Sequence, residues 1–233
     1  MRSHINSSAP LAHEVLAALL QVRSATLQVL LWRRALDPHV GRWSLPGGRL
    51  RPDEDVETSI RRQLAEKVDV RQLTHVEQLA VFSAPDRVPG PRVVATAFLG
   101  LVPSDVDPEV PEDTRWHPVD DLPRTAFDHH EIVLRARDRL RSKLSYTNVG
   151  FALAPREFTI SALRELYSAA LGYKVDATNL QRVLSRRGLL SPTGATAPSG
   201  RAGGRPAAMF SFSGKGIQVT DPFAVFRPPP KRR

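Results

Sequence analysis

Residues 43–70 read WSLPGGRLRPDEDVETSIRRQLAEKVDV, and the fold of this chain is decided by how that stretch is understood. Its first part, Gly41–Pro52, is loop-like around Pro46-Gly47-Gly48. A helix is predicted over Asp53–Val68, with Asp53 as N-cap and Glu54, Asp55 and Glu57 crowding the positive end of its dipole. Val56, Ile60, Leu64 and Val68 recur on one face of that helix. Positions 63, 66 and 67 project from roughly a third of its circumference. They carry Gln63, Glu66 and Lys67, an amide, a carboxylate and an ammonium.

The spacing Gly48-x5-Glu54-x7-Arg62, followed by Gln63-Leu64-Ala65-Glu66-Lys67-Val68-Asp69-Val70, resembles the Nudix signature G-x5-E-x7-R-E-U-x-E-E-x-G-U. Trp43-Ser44-Leu45-Pro46-Gly47 resembles the usual entry to that motif. The resemblance covers roughly residues 15–143 and implies an α/β fold, a mixed sheet sandwiched between helices. It also implies Mg²⁺ held by box glutamates, which neutralises a pyrophosphate and activates water. Here the box is degenerate. Gly48, Glu54, Arg62 and Glu66 are kept, but Gln63 and Lys67 stand where glutamates belong, and Asp69 replaces a glycine. A cation at Lys67 opposes metal binding. The expectation is a fold kept for binding, with no catalytic residues, no metal and no required cofactor.

A Nudix pocket without metals must meet phosphates with guanidinium forks. Apolar strands are expected at Val15–Val22 and Thr26–Trp32, and further strands at Gln78–Ser83 and Arg92–Val102, with Ala84–Pro91 as a loop. Arg87 and Arg92 flank that loop, and Arg33, Arg34 and Arg42 precede the box. The candidate ligand-binding residues are Arg33, Arg42, Trp43, Phe82, Arg87 and Arg92, with Trp43 or Phe82 stacking on a base. A long amphipathic helix is expected over Phe127–Lys143, and its His129-His130 pair is read as part of a junction rather than a metal site.

Charge divides the chain. Thirteen basic and four acidic residues lie from Tyr146 onward, against twenty of each before it, so the whole formal +9 sits in the last third. That asymmetry points the second part at a polyanion. Thr159–Leu171 has helical apolar spacing and Gly172 to end it, and Asp176 can cap a second helix ended at Gly188. Two helices joined by a short glycine-bearing turn outline a helix-turn-helix. Thr178, Asn179, Gln181, Arg182, Ser185 and Arg186 lie away from the inner face of Leu180, Val183 and Leu184, and suit a major groove. Ser191–Pro206 reads as a Gly/Arg loop, in which Arg201 and Arg205 resemble a wing gripping phosphate, before a strand at Met209–Ser213.

Together with the junction Ala126-Phe127-Asp128-His129-His130-Glu131-Ile132, these features are similar to the Nudix-related transcriptional regulators of NAD biosynthesis. The resemblance implies a homodimeric repressor with a C-terminal winged helix-turn-helix that binds double-stranded operator DNA. It also implies that the Nudix domain senses ADP-ribose or a related NAD-derived effector. The expected organisation is a disordered N-terminus at 1–12, a sensing domain at 13–145 with a connecting helix at 127–143, a DNA-binding domain at 146–226 and a basic tail at 227–233. The alternative is an active Nudix ADP-ribose pyrophosphatase with an accessory nucleic-acid domain. The absence of cysteine excludes disulfides and suits a cytoplasmic location. No apolar run reaches the roughly 20 residues of a membrane span, and Val15–Val22 is read as a buried strand rather than a signal peptide, so no membrane partner is expected.

Overall fold

The computed structural model describes residues 11–67, 73–197, 206–214 and 216–221. The expectations for 1–10, for Asp69, for Arg201 and Arg205, and for the tail lie outside these residues. The chain forms two compact units. The first comprises Met1–Gln21, Gln28–Val102 and Asp107–Arg137, and the second Val22–Leu27, Pro103–Val106 and Asp138–Arg233.

Among the described residues the first unit is built on a mixed sheet of seven strands. Strand β1 (Ala12–Arg23) lies at its centre, with β2 (Thr26–Arg33) on one side and β6 (Val93–Leu101) parallel to it on the other. Successive side chains of β1 point to opposite faces of the sheet, and both faces are buried, which is why the strand is a continuous apolar run and not an alternating one. Val15 through Leu20 are all buried. Two short strands, β3 (Trp43–Ser44) and β4 (Gly47–Arg49), pair with β2 and β1. Gly47 has φ +154°, and a Cβ there would fall 2.1 Å from the Val15 carbonyl oxygen, so only glycine permits this approach. Strand β5 (His75–Phe82) closes the other edge, antiparallel to β6. The strand β7 (Thr114–Pro118), antiparallel to β2, had no alternating pattern by which to foresee it.

Helix α1 (Val56–Lys67) follows β4, and its cap differs from expectation. Asp55, not Asp53, accepts the Thr58 N–H at 2.7 Å. Residues 51–54 are already closed as a turn, with the Glu54 N–H on the Arg51 carbonyl and the Arg51 N–H on the Glu54 carboxylate. Helix α2 (His129–Tyr146) begins in the first unit and ends in the second. It starts two residues later and runs three residues further than the apolar spacing suggested. Its buried face is Ile132, Val133, Ala136, Leu140 and Leu144.

The second unit continues with a 3₁₀ turn at Val149–Ala152, then α3 (Ile160–Leu171) and α4 (Ala177–Arg186). Thr159 caps α3 by accepting the Ala162 N–H, and Gly172 ends it at φ +81°. A β-hairpin follows, β8 (Leu190–Thr196) antiparallel to β9 (Ala208–Phe212). The expected loop from Ser191 therefore begins as a strand. Its Ser, Pro and Gly residues hid the pairing, which β9 supplies from the other arm. Phe158 adds a bridge to Phe210 with two backbone hydrogen bonds of 2.9 and 2.8 Å. Phe158, Leu163, Leu166, Tyr167, Leu180, Leu184 and Leu189 form the buried core.

Candidate functional site

The box arrives in space as a closed electrostatic unit. Arg62 forks onto Glu54, Nε to Oε2 at 2.9 Å and Nη2 to Oε1 at 2.6 Å, and its Nη1 reaches Glu66 at 3.1 Å. Arg62 above all holds the Glu54 carboxyl down to about 2, and the pairing raises the Arg62 guanidinium in turn. Gln63 is buried against Gly48, where a Cβ would come within 2.6 Å of its amide nitrogen. Its Nε2 donates a long hydrogen bond of 3.4 Å to the Arg49 carbonyl, while its Oε1 has no partner among the described residues. Lys67 closes α1.

These donors do not fit a divalent cation. Of the carboxylates kept from the signature, Glu54 is neutralised by Arg62 and Glu66 is half-exposed on the same guanidinium. The third position is a neutral amide. Hard cations need several anionic oxygens converging on one point. Among the described residues no group of three or more His, Cys, Asp or Glu is placed to hold a metal ion. His129 and His130 do not form a site either. His129 is fully buried and its Nδ1 accepts the Leu45 N–H at 2.9 Å, while His130 is exposed. Burial pushes His129 down to about 3, so the ring is neutral.

Beside β5 lies a cleft of about 580 Å³, a volume suited to a small organic ligand. Its walls include Phe82, Arg87, Phe127, Asp128, Glu131 and Arg135. Two of the six candidate ligand residues, Phe82 and Arg87, line it. Arg87 is engaged differently from expectation. Its side chain is 1% exposed; Nε and Nη2 fork onto Asp128 at 2.8 and 2.7 Å, and Nη1 meets Glu14 at 2.7 Å. Burial by itself would depress its pKa, but the two carboxylates outweigh that and raise it. A fork expected for phosphate is thus closed on the protein's own acids. Phe82 is buried, with the Arg135 guanidinium 5.5 Å from its ring centroid. Arg92 stands at the foot of the same loop and donates Nη2 to the Ser83 carbonyl at 2.8 Å.

The other three candidates lie around β3. Arg33 stacks 5.6 Å from the Trp43 ring, which meets His117 edge-on at 4.3 Å. Arg42 is exposed, its N–H on the His39 carbonyl. Sequence reasoning missed His39, Phe127, Asp128, Glu131 and Arg135 as cleft residues. Phe127-Asp128 and Glu131 were visible as part of the junction motif, but nothing in the sequence separates a motif that builds a pocket from one that joins two elements.

In the second unit α4 presents Thr178, Asn179, Gln181, Arg182, Ser185 and Arg186, all exposed, opposite buried Leu180 and Leu184. Asp176 caps α4 through the Asn179 N–H at 2.7 Å, and Arg182 Nη2 donates to Asn179 Oδ1 at 2.7 Å. The turn between the helices is pinned by Ser168, whose Oγ accepts the Val175 N–H at 3.0 Å. This geometry leaves one polar, basic helix face open, of a size that fits a DNA major groove.

The first unit is thus a Nudix fold and the second a winged helix. Residues 13–136 match the Nudix domain model, and residues 150–212 match the NrtR DNA-binding winged helix domain. The chain belongs to the Nudix proteins, and among them to the NrtR family of regulators. Shewanella oneidensis NrtR, solved with a 27mer DNA, is 31% identical, with a TM-score of 0.72 over 85% of this chain and 92% of that one. Its separate Nudix domain, solved with ADP ribose, is 30% identical with a TM-score of 0.52, covering 60% of this chain and 94% of that one. The ADPR responsive transcriptional repressor NtrR of Acinetobacter baylyi is 28% identical over 203 residues, 84% of this chain and 80% of its own length. An ADP-ribose pyrophosphatase of Methanocaldococcus jannaschii is 29% identical over 119 residues, 50% of this chain and 68% of its own.

Proposed function

We infer that this chain is a transcriptional repressor that binds operator DNA through α4 and the β8–β9 wing and senses ADP-ribose through a Nudix domain that does not hydrolyse it. One observation carries the non-hydrolytic part: Arg62 takes up both Glu54 and Glu66, and Gln63 supplies no charge. In this reading residues 13–145 sense the effector and 146–226 bind DNA. The regulated genes belong to NAD synthesis, the protein acts in the cytoplasm, and the unit that reads DNA is a homodimer. Arg33, Arg42, Trp43, Phe82 and Arg92 are the proposed ligand contacts, and Arg87 braces the cleft wall. Thr178, Asn179, Gln181, Arg182, Ser185 and Arg186 meet bases and phosphates, while Arg201 and Arg205 grip the backbone. Among the described residues no helix is long and apolar enough to cross a membrane.

Two half-sites about 34–36 Å apart would be read by one dimer. Ligand in the cleft would act on α2, whose first turn supplies Glu131 to the cleft wall. By linkage, DNA must weaken or strengthen ADP-ribose binding by the factor that ADP-ribose applies to DNA. Fluorescence anisotropy with the upstream region of an NAD-synthesis gene, with and without ADP-ribose, tests the reading. Operator binding indifferent to ADP-ribose would refute it. The pyrophosphatase relative favours a second reading, an active enzyme with a DNA-binding appendage. Incubating ADP-ribose with Mg²⁺ or Mn²⁺ separates the two: release of AMP at enzymatic rates would support the second.

A further inference from the structure

The residue just before Asp128 has an unexpected backbone. Phe127 sits at φ +52°, in the left-handed region that bulky side chains avoid. Such strain persists where the surroundings impose it, and it gathers at ligand clamps. The surroundings here are well defined. Ala126 donates its N–H to the Trp43 carbonyl at 2.8 Å, Asp128 is forked by Arg87, and His129 holds the Leu45 N–H. With residues on both sides pinned, the left-handed turn fixes where the half-buried ring goes. That place is the cleft wall.

The ring is also prepared as a stacking surface. The Arg34 guanidinium lies 4.8 Å from its centroid, and His39 meets it edge-on at 5.1 Å. Arg34 is itself held by the Pro38 carbonyl, at 3.0 Å from its Nε. Phe82, one of the two aromatics expected to stack, is 8% exposed, so it offers less free surface than the half-buried Phe127. The cleft also presents Asp86 and Glu131, acceptors for amino and hydroxyl donors and poor neighbours for phosphate.

We propose that Phe127 is the base-stacking residue of this cleft, receiving the purine ring of a nucleoside diphosphate, with the phosphates directed away from Asp86 and Glu131. This deepens the sensing role proposed above and rests on it for the identity of the nucleotide. The test is calorimetric titration of the full chain with ADP-ribose, AMP and ribose 5-phosphate, on wild type, Phe127→Gly and Phe127→Tyr. Glycine accepts a positive φ freely, so it removes the ring without adding backbone strain. Loss of one base–aromatic stack weakens binding by about tenfold or more. Phe127→Gly should show that loss for ADP-ribose and AMP and none for ribose 5-phosphate, while Phe127→Tyr stays near wild type. Equal losses for all three ligands would mean that the ring acts through the fold, and unchanged ADP-ribose and AMP binding in Phe127→Gly would overturn the stacking role outright. A wild type that binds AMP in a Phe127-dependent way but ignores ADP-ribose would sink the effector assignment and leave the stacking residue standing.

Discussion

Two arginines of the first unit and two of the second are used in opposite ways. In the first, Arg62 and Arg87 are folded inward, each forked onto carboxylates supplied by the same unit. In the second, α4 contains no acidic residue, and Arg182 and Arg186 stand exposed on its outer face. Internally paired charge holds geometry and attracts little from outside. Unpaired surface charge does little for stability and much for association with a polyanion. The comparison therefore separates residues that shape the sensing unit from residues that meet DNA.

Arg87→Ala should break the comparison most visibly. It leaves Glu14 and Asp128 facing each other without their cation, and removing one partner of a buried ion pair costs about 3 kcal/mol or more. Chemical denaturation should show that loss, whereas an unchanged unfolding midpoint would mean the triad is not a structural brace. Arg182→Ala should do the reverse. Its denaturation curve should overlay wild type, while operator affinity falls by about tenfold or more, the usual size of a lost base contact. Should stability fall and DNA affinity persist, α4 is not the reading helix.

A smaller effect sharpens the second half of the contrast. Asp176→Ala removes the α4 cap and should cost about 1 kcal/mol. It should lower DNA affinity only through disorder at the start of α4. A salt titration would separate this from lost contacts, since the slope of affinity against salt should stay as in wild type.

The pH response probes the first unit without touching DNA. His129 in the fold titrates near 3 instead of 6.5. The unfolded chain therefore binds a proton that the fold refuses, so the contribution is complete above 6.5 and is lost as pH falls towards about 3. Glu54 adds the same sign at lower pH: its stabilisation is present above about 4.5 and is lost as pH falls through about 2. His129→Asn, which keeps an acceptor for the Leu45 N–H, should flatten the melting temperature between pH 6.5 and 5 relative to wild type. Parallel profiles for the two proteins would show that His129 is not the group responsible.

Much of this was legible in the residues. The spacing from Gly48 to Arg62 gave the Nudix fold because each position has a local job: a glycine for close approach, an acid and an arginine that pair across eight residues. The helices α3 and α4 were legible through their caps and apolar period. Strand β7 and the first arm of the wing were not, because their pairing comes from distant partners and overrides weak local preference. The cleft was half legible. Phe82 and Arg87 were named, yet no local signal foretells that Glu14 from 73 residues away and Asp128 from 41 close on the Arg87 guanidinium.

What the amino-acid order determined alone is local: the helices and most of their caps, the apolar central strand, and the substitution of two box acids by Gln63 and Lys67. Tertiary structure decided which charges remain available. A guanidinium is identical in sequence whether it faces solvent or two carboxylates, and only the fold brings those carboxylates within 3 Å. The left-handed turn at Phe127 belongs to the same category, since no residue preference calls for it and the pinned neighbours on either side impose it.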